Sequence, residues 1–175
     1  METLVPGDLV CTADGCVSEM RWLGRETVSA ALNDPAKVNP IRIRAGALGA
    51  GLPQRDLFVS ADHAVGLDGY LINAGALLNG TSITRAAQMP SDGFTYYHVG
   101  TDAHELILAE GCAAETYLDM PSRENFDNGA ERADAPQVAE MAMPRITVAR
   151  LLPHTIKAQL ADRADVVAPA LALAS

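Results

Sequence analysis

Short apolar or alternating runs, each closed by a glycine-bearing turn, follow one another at close spacing between Leu4 and Gly111. Runs of that length suit strands, and turns at that density indicate an all-β fold. Ile41-Arg42-Ile43-Arg44 alternates strictly, apolar on one face and charged on the other, as a half-buried strand does. Leu57-Phe58-Val59 is a short apolar run with a β-branched member. Asp68-Gly69 favours a hairpin turn, because glycine accepts φ > 0 without steric cost.

The rest of this region repeats the theme. Pro6-Gly7-Asp8 is a turn that feeds a strand from Leu9 to Thr12, and Ala13-Asp14-Gly15 turns the chain back. Val17 to Gly24 alternates Met20, Trp22 and Leu23 with Glu19 and Arg21. Ala30 to Pro40 is a connection broken at Asn33-Asp34-Pro35 and Asn39-Pro40. Ala45 to Leu52, rich in Ala and Gly, reads as a short helical turn or loop; it lacks the glycine spacing and the lysine of a phosphate cradle. Tyr70-Leu71-Ile72, Thr81 to Thr84, Thr95 to Val99 and His104 to Ala109 are further strands. Leu4-Val5-Pro6-Gly7-Asp8-Leu9-Val10 is echoed by Leu77-Leu78-Asn79-Gly80-Thr81-Ser82-Ile83, a sign of two related halves about a pseudo-two-fold axis.

The character changes from Ser122. Arg123 to Asp134 is polar and charged and reads as a mobile connection. Ala135 to Ser175 is rich in Ala and Leu and is cut by Pro144, Pro153 and Pro169. Within it, Ile156, Leu160 and Val167 can share a helix face, so short helices are expected to pack on the β-domain or on another chain. The expected division is a β-domain over 1–120, a polar connection over 121–134 and a helical tail over 135–175.

A chain of 175 residues suits one domain with an appendage. Its 13 basic and 22 acidic residues leave a net charge of −9, with no basic cluster, which argues against nucleic acid and anionic membranes as partners. No apolar run approaches the ~18 residues needed to cross a bilayer. The amino terminus shows no signal-peptide pattern, so the compartment stays unassigned. Cys11, Cys16 and Cys112 form neither a CxxC nor a Cys/His ligand spacing, and the set His63, His98, His104 and Cys112 has no recognisable metal pattern. No cofactor or metal is expected. The chemistry concentrates at Ser60-x-x-His63, just past the Leu57–Val59 strand, where a hydroxyl and an imidazole that titrates near neutrality can converge.

Taken together, three blocks in order resemble the Hint (hedgehog/intein) family, in its bacterial hedgehog-like branch. Leu4 to Thr12 resembles the family's Leu-x-x-Gly-Asp-x-Val segment. In Leu57 to Ile83, Ser60-Ala61-Asp62-His63 stands where the family has Thr-x-x-His, and Gly69, Ala74, Leu77 and Gly80 keep the family spacing. Tyr96 to Gly111 resembles the late strand pair of inteins. The resemblance covers roughly residues 1 to 120 and implies a curved β assembly of two halves.

It also implies self-processing of the chain's own upstream polypeptide. In the family an N-terminal Cys or Ser attacks the preceding carbonyl, and a second nucleophile resolves the (thio)ester. By the resemblance, His63 would hydrogen-bond and protonate the scissile nitrogen, with Ser60 helping to hold the peptide. His104 would correspond to the third-block His, and His98 falls where the family carries an acidic residue. The intein His-Asn pair aligns with Glu115 and Thr116, and Thr has no side-chain amide to cyclise, so cleavage without splicing is expected. The family nucleophile precedes the first block, whereas this sequence starts at Met1 inside it, so the chain as given is expected to be inactive, as a truncated or degenerate copy. Relatives of this branch often sit on secreted bacterial proteins. The alternative is a non-catalytic Hint-fold interaction module, assembled through the tail from Ala135.

Overall fold

The computed structural model describes residues 3–29, 33–118, 126–132 and 137–167. Alternation dictates the first sheet. In β4 (Ile41–Ile43) the two isoleucines are fully buried and Arg42 points outward, its Nε 2.7 Å from Asp56 Oδ2. The strand lies between β5 (Leu57–Val59) and β8 (Ile83–Arg85), antiparallel to both, with Ile41 opposite Val59 and Ile43 opposite Ile83.

Two hairpins build the second sheet. β6 (Ala64–Leu67) and β7 (Tyr70–Asn73) meet at Asp68-Gly69, whose φ values of 49° and 80° place both residues in the left-handed region of a two-residue hairpin turn. β10 (Leu106–Ala109) and β11 (Cys112–Glu115) turn in the same way at Glu110-Gly111, with φ of 51° and 78°. The second of these pairs was not recognised from sequence as a hairpin of that type. The sheet order is β10-β11-β6-β7-β12, the last strand being Arg145–Ile146, which runs parallel to β7.

β1 (Leu9–Cys11) pairs with β2 (Val17–Glu19), and β3 (Trp22–Val28) pairs along its whole length with β9 (Phe94–Gly100). The single strand expected over Val17 to Gly24 is thus divided between two sheets. Asp34 caps the short helix α1 (Pro35–Val38), its Oδ1 accepting from the Ala36 amide at 2.9 Å. Residues 74–77 form a 3-10 turn. Gly7 and Gly80, the glycines of the echoed segments, both have positive φ, so the likeness between those segments extends to their backbone at that point.

The main core joins Ile41, Ile43, Val59, Val65, Ile72 and Ile83 to Ile146, Leu152, Ile156 and Leu160. The last three residues lie on or just before α2 (His154–Val167), which buries Ile156, Leu160 and Ala164 at helical spacing and leaves His154 exposed. Gln159 and Arg163 on α2 donate to the carbonyls of Leu48 and Gly46, at 2.7 and 3.0 Å. Those bonds occupy acceptors of the glycine-rich 45–52 loop, which is a series of turns rather than a helix. The tail therefore packs on the β-domain and completes its core.

A second, smaller cluster holds Met20, Leu23, Val99 and Ile107. Residues 126–132 lie inside the stretch expected to be a mobile connection, yet they dock on β3: Asn128 Oδ1 accepts from the Arg25 amide at 2.9 Å and Phe126 packs on Trp22 with ring centroids 5.1 Å apart. The remainder of that stretch falls outside the described residues.

Candidate active site

His63 occupies the short link between β5 and β6. Its amide donates to the Ser60 carbonyl at 3.3 Å, and its carbonyl accepts from the Ala74 amide at 2.9 Å. The adjacent Gly75 amide donates to the Ala61 carbonyl at 2.8 Å, and a Cβ on Gly75 would lie 3.2 Å from that oxygen. The Ser60–His63 link is thereby fixed by backbone bonds rather than by its own side chains.

Opposite His63 stands His98 of β9, with ring centroids 6.2 Å apart. His98 pairs with Gly24 on β3, where Trp22 covers the glycine so closely that a Cβ would come within 2.4 Å of its ring. The His98 ring also packs edge-on against Phe126 at 5.1 Å and Tyr117 at 6.0 Å. This aromatic wall covers one side of the imidazole. Burial lowers the His98 pKa to about 4, with His63 adding to the shift and Glu115 opposing it. Burial also lowers that of His63; Glu115 counters the effect, while Arg145 and His104 reinforce it. Both imidazoles are neutral at neutral pH, each with a hydrogen to donate and a lone pair to accept.

Glu115 ends β11 beside β6, where Ala114 is opposite Val65. Its Oε1 accepts from the Ala64 amide at 2.7 Å and from Arg145 Nη1 at 3.3 Å. Its Oε2 accepts from Arg145 Nη2 at 2.6 Å and lies 3.1 Å from His104 Nε2. Burial opposes the charge, but bonds from His104, Arg145 and Ala64, with the field of His63, outweigh it and hold the pKa at about 2. Glu115 is an anion at neutral pH.

The His104 side chain is fully buried. Its Nδ1 is 3.1 Å from the Met141 amide nitrogen. A backbone amide only donates, so Nδ1 is the acceptor, and the ring proton sits on Nε2 facing Glu115. Thr116, also buried, accepts from the Glu105 amide at 3.0 Å and donates to the Ala103 carbonyl at 3.3 Å, holding the His104 turn against β11.

Two cavities meet at these residues. One is largely apolar, about 290 Å³, and reaches from Leu4 and Val10 along β5 and β9. The other, about 560 Å³, is bordered by Asn73, Tyr117, Phe126 and Arg145. Ser60, His63, His98 and Glu115 line both, so they stand at the junction. Of the four residues singled out from sequence, the structure brings Ser60, His63 and His98 to this junction and sets His104 behind it, in contact through Glu115.

Glu115, Arg145, Tyr117 and Phe126 were not anticipated. Glu115 had one signal, its place opposite the intein His. Arg145 had none, because only β12 pairing with β7 brings it in. Among the described residues no group of three or more His, Cys, Asp or Glu side chains is placed to hold a metal ion, and no helix is long and apolar enough to cross a membrane.

Comparison with curated proteins and with solved structures gave no match. A family model described as a Hint domain matches residues 1–121, the greater part of the chain. That span contains Ser60, His63, His98, His104 and Glu115, and every strand of the sheets described above except β12. The chain belongs to the Hint domain family.

Proposed function

We propose that this domain is an autoprocessing module of the bacterial hedgehog-like kind, built to break a peptide bond of its own upstream polypeptide without splicing. The observation that carries this reading is the placement of Ser60, His63, His98 and Glu115 at the junction of two cavities. Leu4 lines the apolar cavity, so a polypeptide entering the domain there runs beside the cleft.

The chemistry assigns distinct tasks. A thiol or hydroxyl attacks the carbonyl carbon of the scissile bond, forming a C–S or C–O bond as the C–N bond breaks. The proton lost by the nucleophile ends on the departing nitrogen, so no net proton is consumed. An imidazole that is neutral at rest can take up that proton and return it, and His63 is assigned this role. Ser60 holds the peptide, and His98 walls the opposite side. His104 acts through Glu115. Water or an external thiol then cleaves the (thio)ester.

None of the three cysteines is placed to be that nucleophile. Cys11 and Cys16 are exposed on the β1–β2 hairpin, and Cys112 is buried in the main core. None of them lines either cavity. Inactivity of the chain alone is therefore part of the proposal. The same fact favours a second reading, a non-catalytic Hint-fold module that keeps the scaffold.

The test is to place a Cys-headed strand and a reporter ahead of Met1, add dithiothreitol, and weigh the products. The autoprocessing reading expects the reporter to be released with a dithiothreitol adduct on its new carboxyl end, the mark of a thioester. A reporter that stays attached would favour the scaffold reading.

A further inference from the structure

Residues 137–167 lie outside the family match, yet they reach the centre of the site. β12 is fixed to β7 by parallel pairing, with Arg145 opposite Leu71, and the Leu71 amide donates to the Pro144 carbonyl at 2.9 Å. From that strand Arg145 spans three partners. Its Nε donates to Glu140 Oε1 at 2.7 Å, its Nη1 to Asn73 Oδ1 at 3.3 Å, and its two terminal nitrogens to Glu115. Met141, from the same segment, donates its amide to His104 and so fixes the tautomer that faces Glu115. A single stretch therefore controls both side chains that hold the Glu115 carboxylate.

A carboxylate with a side chain one-tenth exposed needs a compensating charge. Within the matched span its side-chain partner is the neutral His104 ring. The full positive charge comes from Arg145 alone among the described contacts. A forked guanidinium on both carboxylate oxygens also fixes the plane of the acid, which a lysine cannot do.

We propose that Arg145 is a positioning residue: it fixes and neutralises the Glu115 carboxylate beside the His63–His98 pair, which makes the segment 137–167 a working part of the Hint site. The functional half of this inference rests on the autoprocessing reading; the electrostatic half does not. The groups that face His63 are Glu115 from β11, Arg145 from β12, His98 from β9 and His104 from the turn before β10. Glu26, Asp62 and Glu140 line the second cavity with His63, and Glu140 is bonded to Arg145. Removing the guanidinium takes away one of the groups that oppose the Glu115 charge at His63, while burial and His104 remain. The imidazolium is then less disfavoured, and a group that should return its proton holds it more tightly.

The experiment titrates His63 by NMR of its ring C–H signals in the full chain, assigned with His63→Ala. In Arg145→Met the His63 midpoint is expected to rise by about one pH unit. In Arg145→Lys it should stay within about 0.3 unit of wild type, since the charge is kept. In the double variant Glu115→Gln/Arg145→Met the rise should vanish. If Arg145→Met does not fold, Arg145→Gln is read in its place with the same expectation.

A second arm measures thiol-induced release from the Cys-headed fusion, where Arg145→Lys should be slowed at least about tenfold through loss of the fork while its His63 midpoint is unchanged. An unmoved His63 midpoint in the charge-removing variants would overturn the electrostatic half. Full-rate release by Arg145→Lys would overturn the positioning half. Absence of release from the wild-type fusion, with the midpoint shifts intact, would count against autoprocessing and leave the placement of Arg145 standing.

Discussion

Nε2 of His104 lies 3.1 Å from Oε2 of Glu115, and the opposite ring nitrogen is occupied by the Met141 amide. A fully buried ring with both nitrogens engaged is a bracket between the C-terminal segment and β11. Truncating it leaves the Met141 amide and one lone pair of Glu115 unsatisfied, together with a void. His104→Ala is expected to destabilise the fold by about 2–4 kcal/mol, measured by urea denaturation. His104→Gln, which keeps a donor and an acceptor, should recover part of that loss. Equal stability of His104→Ala and wild type would contradict the bracket.

Acid should weaken the protein in two ranges. Glu115 has a folded pKa of about 2 against an ordinary value of 4.5. A depressed carboxylate contributes stability that is complete above the ordinary value and is lost as pH falls through the folded one. The contribution is on the order of 3 kcal/mol and should disappear between about pH 4.5 and pH 2. Glu115→Gln should lack this component. Chemical denaturation at stepped pH reads the result, and a parallel slope in wild type and variant below pH 4.5 would contradict it.

His98 governs the higher range. Its folded pKa of about 4 lies below the ordinary 6.5, so between these values the unfolded chain binds a proton that the native site refuses. Stability is then complete above about pH 6.5 and falls as pH drops toward 4. His98→Phe should reduce this slope, because the replacement has no proton to bind, and His63, whose pKa burial also lowers, supplies the remainder. An undiminished slope in that variant would contradict the assignment to His98.

Gly24 lies opposite His98 in the β3–β9 pair, beneath the Trp22 ring. Gly24→Ala must displace that ring from the wall it forms with Tyr117 and Phe126. The expected cost is about 1–3 kcal/mol, with a changed tryptophan emission, since Trp22 is the single tryptophan of the chain. Unchanged emission and stability would show that the wall adapts freely.

The β architecture was legible because its signals are local. Strict alternation at Ile41–Arg44 and the Asp68-Gly69 turn act within a few residues, and both gave the elements expected of them. Ser60 and His63 were legible through family spacing, since they sit on one short link. Glu115 and Arg145 were not, because neither carries a local pattern. The first reaches the site by β11 pairing with β6, and the second by β12 pairing with β7. Both are long-range choices made by the packed core. The docking of 126–132 was hidden for a related reason: a polar composition is read as solvated, yet Asn128 donates its side-chain amide to the Leu23 carbonyl of β3 and Phe126 completes the aromatic wall.

The central claim is that the His63 imidazole moves the proton of the scissile bond. The most direct measurement is the first-order rate of reporter release from the Cys-headed fusion and from its His63→Ala variant, with folding checked by Trp22 emission. The expected rate is at least about 100-fold lower in the variant. Equal rates in the two proteins would contradict it.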